Sequence, residues 1–191
     1  IAGLEALVAR GGDPSAVSSV ASFFISRIDS AIDAALTARL KTAVDAREQT
    51  MFHSLLGKVA IANGKLTYHR YKEIFGSQRW QTLTKTGAHT QRVLWASTST
   101  KNPNYRDVIY VEELIGPDTV NTIPASTVEA FRDHGRPRFS LEEDIEGAYH
   151  TMQTLERVGI SMTEITDRLL DDGVQLFAEA FDKLLRAVDK R

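Results

Sequence analysis

Cysteine is absent from the 191-residue chain. Disulfides and thiolate chemistry are thereby excluded, and a reducing compartment, the cytoplasm, is the expected setting. Neither sign of charge is in excess. The 23 Lys and Arg against 25 Asp and Glu leave a formal net charge of −2, which offers no footprint for nucleic acid or an anionic membrane surface. No hydrophobic run approaches the roughly 20 residues of a membrane-spanning helix. His53, His69, His89, His134 and His150 are scattered, with no pair at metal-ligand spacing. P-loop, dinucleotide fingerprint, Gly-x-Ser-x-Gly elbow and tandem repeat are all missing. An initiating Met is missing too. Ile1, Leu4, Leu7 and Val8 already follow helical spacing with nothing before them to cap a helix, so an upstream segment is expected. A signal peptide is not, because Glu5 interrupts the run and no basic leader precedes it.

What is present suits a globular domain: 42% hydrophobic and 25% charged residues. Val17 to Ile25 follows a Gly-Gly-Asp-Pro turn and is apolar in both alternating sets, the pattern of a buried parallel strand. Ile28, Ile32, Ala35, Leu36 and Leu40 then repeat at helical spacing. Gln49 to Phe75 reads as one longer helical region stopped by Gly76, and Gln78 to Thr86 as a short helix. Gln91 to Thr98 is the second strand, Asn104 to Ile115 is mostly helical, and Thr119 to Ile123 is the third strand. A helix opens at Pro124 and ends before Gly135. Ser140 and Glu143 form a capping box for a helix that runs to Gly159, and two helical pieces follow, separated by Gly173. The last carries Leu176, Phe177, Phe181, Leu184 and Leu185, which can dock on the same domain or on a second copy. Glu112-Glu113 and Asp171-Asp172 read as solvated acidic pairs.

Strands alternating with helices imply an α/β fold with a parallel sheet. Three strands cannot close a barrel, and an open three-stranded sheet leaves bare edges. The expected fold is the C-terminal part of a (β/α)8 TIM barrel, with residues 1–191 as one portion of a single domain and the earlier strands upstream.

In such folds the chemistry gathers where strands end. The first strand ends in "SFFISRID", with Arg27 just beyond it. Its guanidinium suits bidentate binding of phosphate, and a surface pair with Asp29 or Asp33 is the alternative. The second ends in Ser97, Thr98, Ser99, Thr100 and Lys101, hydroxyls and one cation that suit an anion. From the residues alone Lys101 is a covalent catalyst, an anion anchor or a solvated charge. A lysine nucleophile needs desolvation, and a hydroxyl-rich loop before Asn102-Pro103 shows no sign of it, so the anchor is favoured.

"SVASFFISRID", "LWASTSTKN" and "YVEELIGPDTVNTIP" together resemble the transaldolases, most closely the bacterial members with a long C-terminal part. The resemblance runs over essentially the whole chain. It implies a (β/α)8 barrel enzyme of the pentose phosphate pathway that moves a dihydroxyacetone unit between sugar phosphates through a lysine Schiff base, with no cofactor. By position, Ser22 matches an active-site serine near the substrate, Arg27 the phosphate-binding arginine and Ser97 a phosphate-side serine. Lys101 falls where the family has a basic phosphate ligand, here in a longer loop. The family's Schiff-base lysine lies mid-strand in a segment resembling Val-Lys-Ile-Pro, and none occurs here. Lys58 and Lys65 sit in a helical pattern, and Lys41, Lys72, Lys85, Lys183 and Lys190 in helices or turns. The carboxylates for proton transfer also belong to earlier strands. The chain alone is therefore expected to be inactive, with sugar phosphates as ligands, no metal, and association with the missing N-terminal part or with a second copy left open. A non-catalytic phosphosugar-binding module using the same strand ends is the rival reading.

Overall fold

The computed structural model describes residues 1–189. In chain order it contains α1 (Ala2–Ala9), a 3-10 turn at Pro14–Ala16, β1 (Val20–Phe24), α2 (Ser26–Leu40), α3 (Ala46–Leu55), α4 (Val59–Gly76) and α5 (Gln78–Thr84). Then come β2 (Arg92–Ala96), α6 (Ile109–Glu112), β3 (Thr119–Asn121), α7 (Ala125–His134), α8 (Ile145–Arg157) and α9 (Met162–Val188). The three strands form one sheet in the order β1-β2-β3, and both pairings are parallel. Ser22 lies opposite Leu94, and Phe24 opposite Ala96. Leu94 in turn lies opposite Val120. This is the α/β architecture with parallel strands that the sequence pattern requires, and it agrees with part of a (β/α)8 barrel.

Because neighbouring parallel residues share a face, the sheet has two distinct sides. One carries Phe23, Val93 and Trp95 against helices. Trp95 is fully buried and meets Phe23 edge-on, with ring centroids 5.9 Å apart. The core continues through Ile25, Ile28, Ile32 and Leu36 of the α2 segment, Phe52 and Leu55 of α3, and Tyr68 and Tyr71 of α4. The other side carries Val20, Ser22 and Phe24, all exposed, with Phe24 at 42%. So β1 is shorter than expected and apolar in both sets, but helices cover only one of them, and among the described residues its outer edge is unpaired.

Four local expectations are corrected. The region read as one helix over 49–75 is two, α3 and α4, broken at Gly57, which takes φ +68°. Between 104 and 115 only Ile109–Glu112 is α-helical, since the preceding residues close tight turns. Ser140 does not cap α8. Its hydroxyl donates to the Glu112 carbonyl and accepts from the Ile115 N–H, and Asp144 caps α8 by accepting from the Gly147 N–H. Finally, α9 runs unbroken through Gly173. A mid-helix glycine costs only about 1 kcal/mol, too little to divide a 27-residue helix.

Two helices at the periphery have clear anchors. α1 packs Ile1, Leu4 and Val8 against Trp80 and Leu83, and Glu5 accepts two hydrogen bonds from Arg79 at 2.7 and 2.6 Å. The end of α8 is held by Arg39, whose guanidinium donates to the carbonyls of Val158 and Gly159, groups that a helix end leaves unpaired. Beyond Ile165, α9 turns an apolar stripe to solvent: Leu170, Val174, Phe177, Phe181, Leu184 and Val188 are all exposed. The Asp171-Asp172 pair is solvated as expected. Glu112-Glu113 is not. Glu112 is buried and accepts from Arg106 and from the Arg136 N–H, while Glu113 faces Lys65 and Arg138. Among the described residues no helix is long and apolar enough to cross a membrane.

Candidate functional site

The carboxyl ends of β1 and β2 lie side by side, and backbone bonds continue past the sheet. The Ile25 N–H donates to the Ala96 carbonyl at 2.9 Å, and the Ser26 N–H to the Ser97 carbonyl at 3.0 Å. Arg27 follows Ser26 directly, so Arg27 and Ser97 stand at the same rim. Ser22 lies on β1, on the open side of the sheet.

Arg27 is exposed in the first turn of α2. The surface pair proposed as its alternative does not form: among the described residues it has no carboxylate partner. Its guanidinium instead lies over the Phe24 ring, 4.7 Å from the centroid. A cation over an aromatic face at an exposed site is held by about 0.5–1 kcal/mol, enough to orient the fork while leaving its N–H groups free.

Ser97 adopts φ +55°, the left-handed region that a non-glycine residue occupies at a cost of about 1–3 kcal/mol. The conformation turns the chain sharply as β2 ends. Thr98 is fully buried and donates to Asn121 at 2.8 Å, which ties the turn to β3. Thr100 donates to the carbonyls of Arg106 and Asp107 and closes the loop on itself. Lys101 projects from that loop, exposed, and donates to the Ser99 hydroxyl at 3.0 Å. Ser97 and Ser99 are half-exposed beside it.

A second set of polar groups lies beside this rim; its two aspartates were singled out from sequence only as surface partners for Arg27, and its two tyrosines not at all. Asp29 and Asp33 stand one turn apart on α2. Asp29 is buried and accepts from the Ala60 N–H and the Tyr110 hydroxyl, both at 2.8 Å. Asp33 accepts from the Gly57 N–H at 3.1 Å and the Tyr105 hydroxyl at 2.8 Å. Burial raises the Asp29 carboxyl from 3.8 to about 6, opposed by its two hydrogen bonds and aided by the nearby Asp33 charge. Asp33 is also raised, again chiefly by burial. The phenols of Tyr105 and Tyr110 move up through burial and the adjoining carboxylates, so both remain donors at neutral pH. The four-residue spacing of Asp29 and Asp33 was readable as one helix face. Their tyrosine partners, 81 and 72 residues away, were not.

The lysines sort clearly. Lys58 and Lys41 flank helices as N-cap of α4 and C-cap of α2, Lys85 caps α5, and Lys72 and Lys183 lie on α4 and α9, while Lys190 lies outside the described residues. Lys65 is the exception in environment: it is buried within α4, donates to the Glu143 carbonyl at 3.0 Å and faces Glu113 at 3.6 Å. It also borders a cavity of about 470 Å³ with Ser54, Lys58, Glu113 and His150. That cavity sits among α3, α4, α6 and α8 and contains none of Ser22, Arg27, Ser97 or Lys101. At the rim, by contrast, strand ends, an arginine with no carboxylate partner among the described residues and a strained backbone coincide. Among the described residues no cluster of three or more His, Asp or Glu can hold a metal ion.

Fold and rim together define a parallel α/β protein with its polar and cationic groups gathered at the carboxyl ends of neighbouring strands. Residues 2–188 match the transaldolase/fructose-6-phosphate aldolase family, and the chain belongs to it. It is 47% identical over 194 residues to transaldolase 2 of Nostoc punctiforme, an alignment covering 100% of this chain and 51% of the relative. It is 44% identical over 193 residues to the transaldolase of Trichodesmium erythraeum, with 100% and 51% covered, and 43% identical over 193 residues to transaldolase 1 of Streptomyces avermitilis, with 98% and 48% covered. The chain thus spans about half the length of the curated relatives it matches.

Proposed function

We propose that this chain is the C-terminal portion of a transaldolase and supplies its phosphate grip. The parent is a (β/α)8 barrel enzyme that cleaves and re-forms an aldol bond, carrying a dihydroxyacetone unit on a lysine Schiff base from a ketose phosphate to an aldose phosphate. In this reading the Schiff-base lysine and the proton-transferring carboxylates belong to strands outside residues 1–191, and the setting is the cytoplasmic pentose phosphate pathway. Arg27 binds the phosphate through its fork, Ser97 and Lys101 complete the pocket from the next strand, and Ser22 lies closer to the sugar. The single observation that carries the reading is an arginine that, among the described residues, has no carboxylate partner, poised over Phe24 and joined through Ser26 to the strained end of β2 at Ser97.

Binding energy at a remote phosphate accelerates the reaction by orienting the carbonyl that reacts. Each charge-assisted hydrogen bond to phosphate contributes about 1.5–3 kcal/mol. Arg27→Ala in the full-length enzyme should therefore raise KM for phosphorylated sugars far more than for non-phosphorylated analogues. An equal loss for both would defeat the assignment. Borohydride trapping with a ketose phosphate, followed by peptide mapping, tests the division of labour. The modified lysine should lie outside residues 1–191. An adduct on Lys101 or Lys65 would overturn it, and no adduct anywhere would favour a non-catalytic phosphosugar-binding protein.

A further inference from the structure

The loop that carries Lys101 is fastened to α2, by the main-chain bond from Ser26 to Ser97 at its start and by side chains further along. Tyr105 lies four residues beyond Lys101 and donates to Asp33; Tyr110 donates to Asp29. The Tyr105 ring also lies so close over Gly57 that a Cβ there would meet Tyr105 Cζ at 2.7 Å. Gly57 in turn donates its N–H to the same Asp33. Asp29 and Asp33 share the α2 face, two and six residues after Arg27, and their remaining oxygens hold the Ala60 and Gly57 amides at the α3–α4 break. The loop cannot slide along α2 without breaking both tyrosine bonds.

We propose that Asp33 with Tyr105, supported by Asp29 with Tyr110, are positioning residues that fix Lys101 relative to Arg27 and thereby set the affinity for the substrate phosphate. This rests on the phosphate-grip reading above. None of the four touches the ligand. They act by holding two cationic elements at one separation, so that the phosphate meets a formed site rather than ordering a loose loop when it binds.

The test uses the full-length enzyme with a ketose phosphate and its non-phosphorylated analogue as paired substrates. Tyr105→Phe keeps the ring over Gly57 and removes only the hydroxyl. It should raise KM for the phosphorylated substrate about tenfold, with KM for the analogue and both kcat values within about twofold of the parent. Asp33→Ala should behave in the same way. Asp33→Asn should stay near the parent, because its amide still accepts from the Gly57 N–H and can donate to the Tyr105 oxygen. A purely structural role would lower melting temperature and affect both substrates alike. If Arg27→Ala separates the substrates while Tyr105→Phe and Asp33→Ala do not, the positioning role is wrong and the phosphate grip stands. If Arg27→Ala fails to separate them, the grip fails and takes this inference with it.

Discussion

Asp29 makes the stability of the protein depend on pH in a direction opposite to that of most carboxylates. Its side chain is buried, and its pKa moves from 3.8 to about 6 because burial penalises the charged form more than its two hydrogen bonds favour it. The folded state therefore holds this proton more tightly than the unfolded state. Its contribution to stability is full below the unfolded value and is lost as pH rises through the folded one. At about 1.4 kcal/mol per pH unit, the whole effect is about 3 kcal/mol, of which about 2 kcal/mol falls between pH 4.5 and 7.5. Asp29→Asn removes the titration and preserves the geometry, since an amide accepts from the Ala60 N–H and can donate to the Tyr110 oxygen. Urea unfolding of the full-length parent and variant at matched pH isolates the term, because every other group titrates in both. The parent should lose about 2 kcal/mol relative to Asp29→Asn between pH 4.5 and 7.5. A difference that stays flat, or that favours the parent as pH rises, would refute the account of Asp29 as a carboxyl dominated by its burial.

Three further outcomes are expected. Gly57→Ala should cost about 2 kcal/mol or more, read by denaturant midpoint, because the new methyl meets Tyr105 in a backbone conformation that only glycine takes freely. Ser97→Gly should raise stability by about 1 kcal/mol by relieving the left-handed turn, while weakening phosphate-dependent KM through loss of the hydroxyl; higher stability with unchanged KM would leave Ser97 only a turn residue. Lys65→Ala should destabilise by about 3 kcal/mol, and Lys65→Met by less, since the first leaves Glu113 and the Glu143 carbonyl facing a void and the second fills it.

The strand order, the parallel pairing and the residues at the rim could all be read from the sequence, and for a common reason. Each depends on a local signal: two-sided apolar runs for β1 and β2, a Gly-Gly-Asp-Pro turn before the first and Asn102-Pro103 after the second, and an arginine or lysine near the point where the run ends. What escaped was set by partners far along the chain. Ser140 carries the right spacing for a cap, but its hydroxyl is drawn to the end of α6, so Asp144 takes over. The break at Gly57 looks like any helical glycine until Tyr105 is placed on top of it. Glu112 looks like half of a solvated pair until Arg106 and the Arg136 amide converge on it. The rim residues were legible as a list, while the aspartate–tyrosine pairs beside them were not, because no pattern within α2 names a tyrosine more than 70 residues away.

The clasp of Tyr105 over Gly57 also bears on protein engineering. Segment 97–108 looks like a self-contained cassette that a designer would transplant between relatives to change ligand preference. Its fit is decided elsewhere, by an acid on one helix and a bare backbone position between two others. A graft that moves the loop without residues 33 and 57 would carry the right chemistry on a misaligned mount.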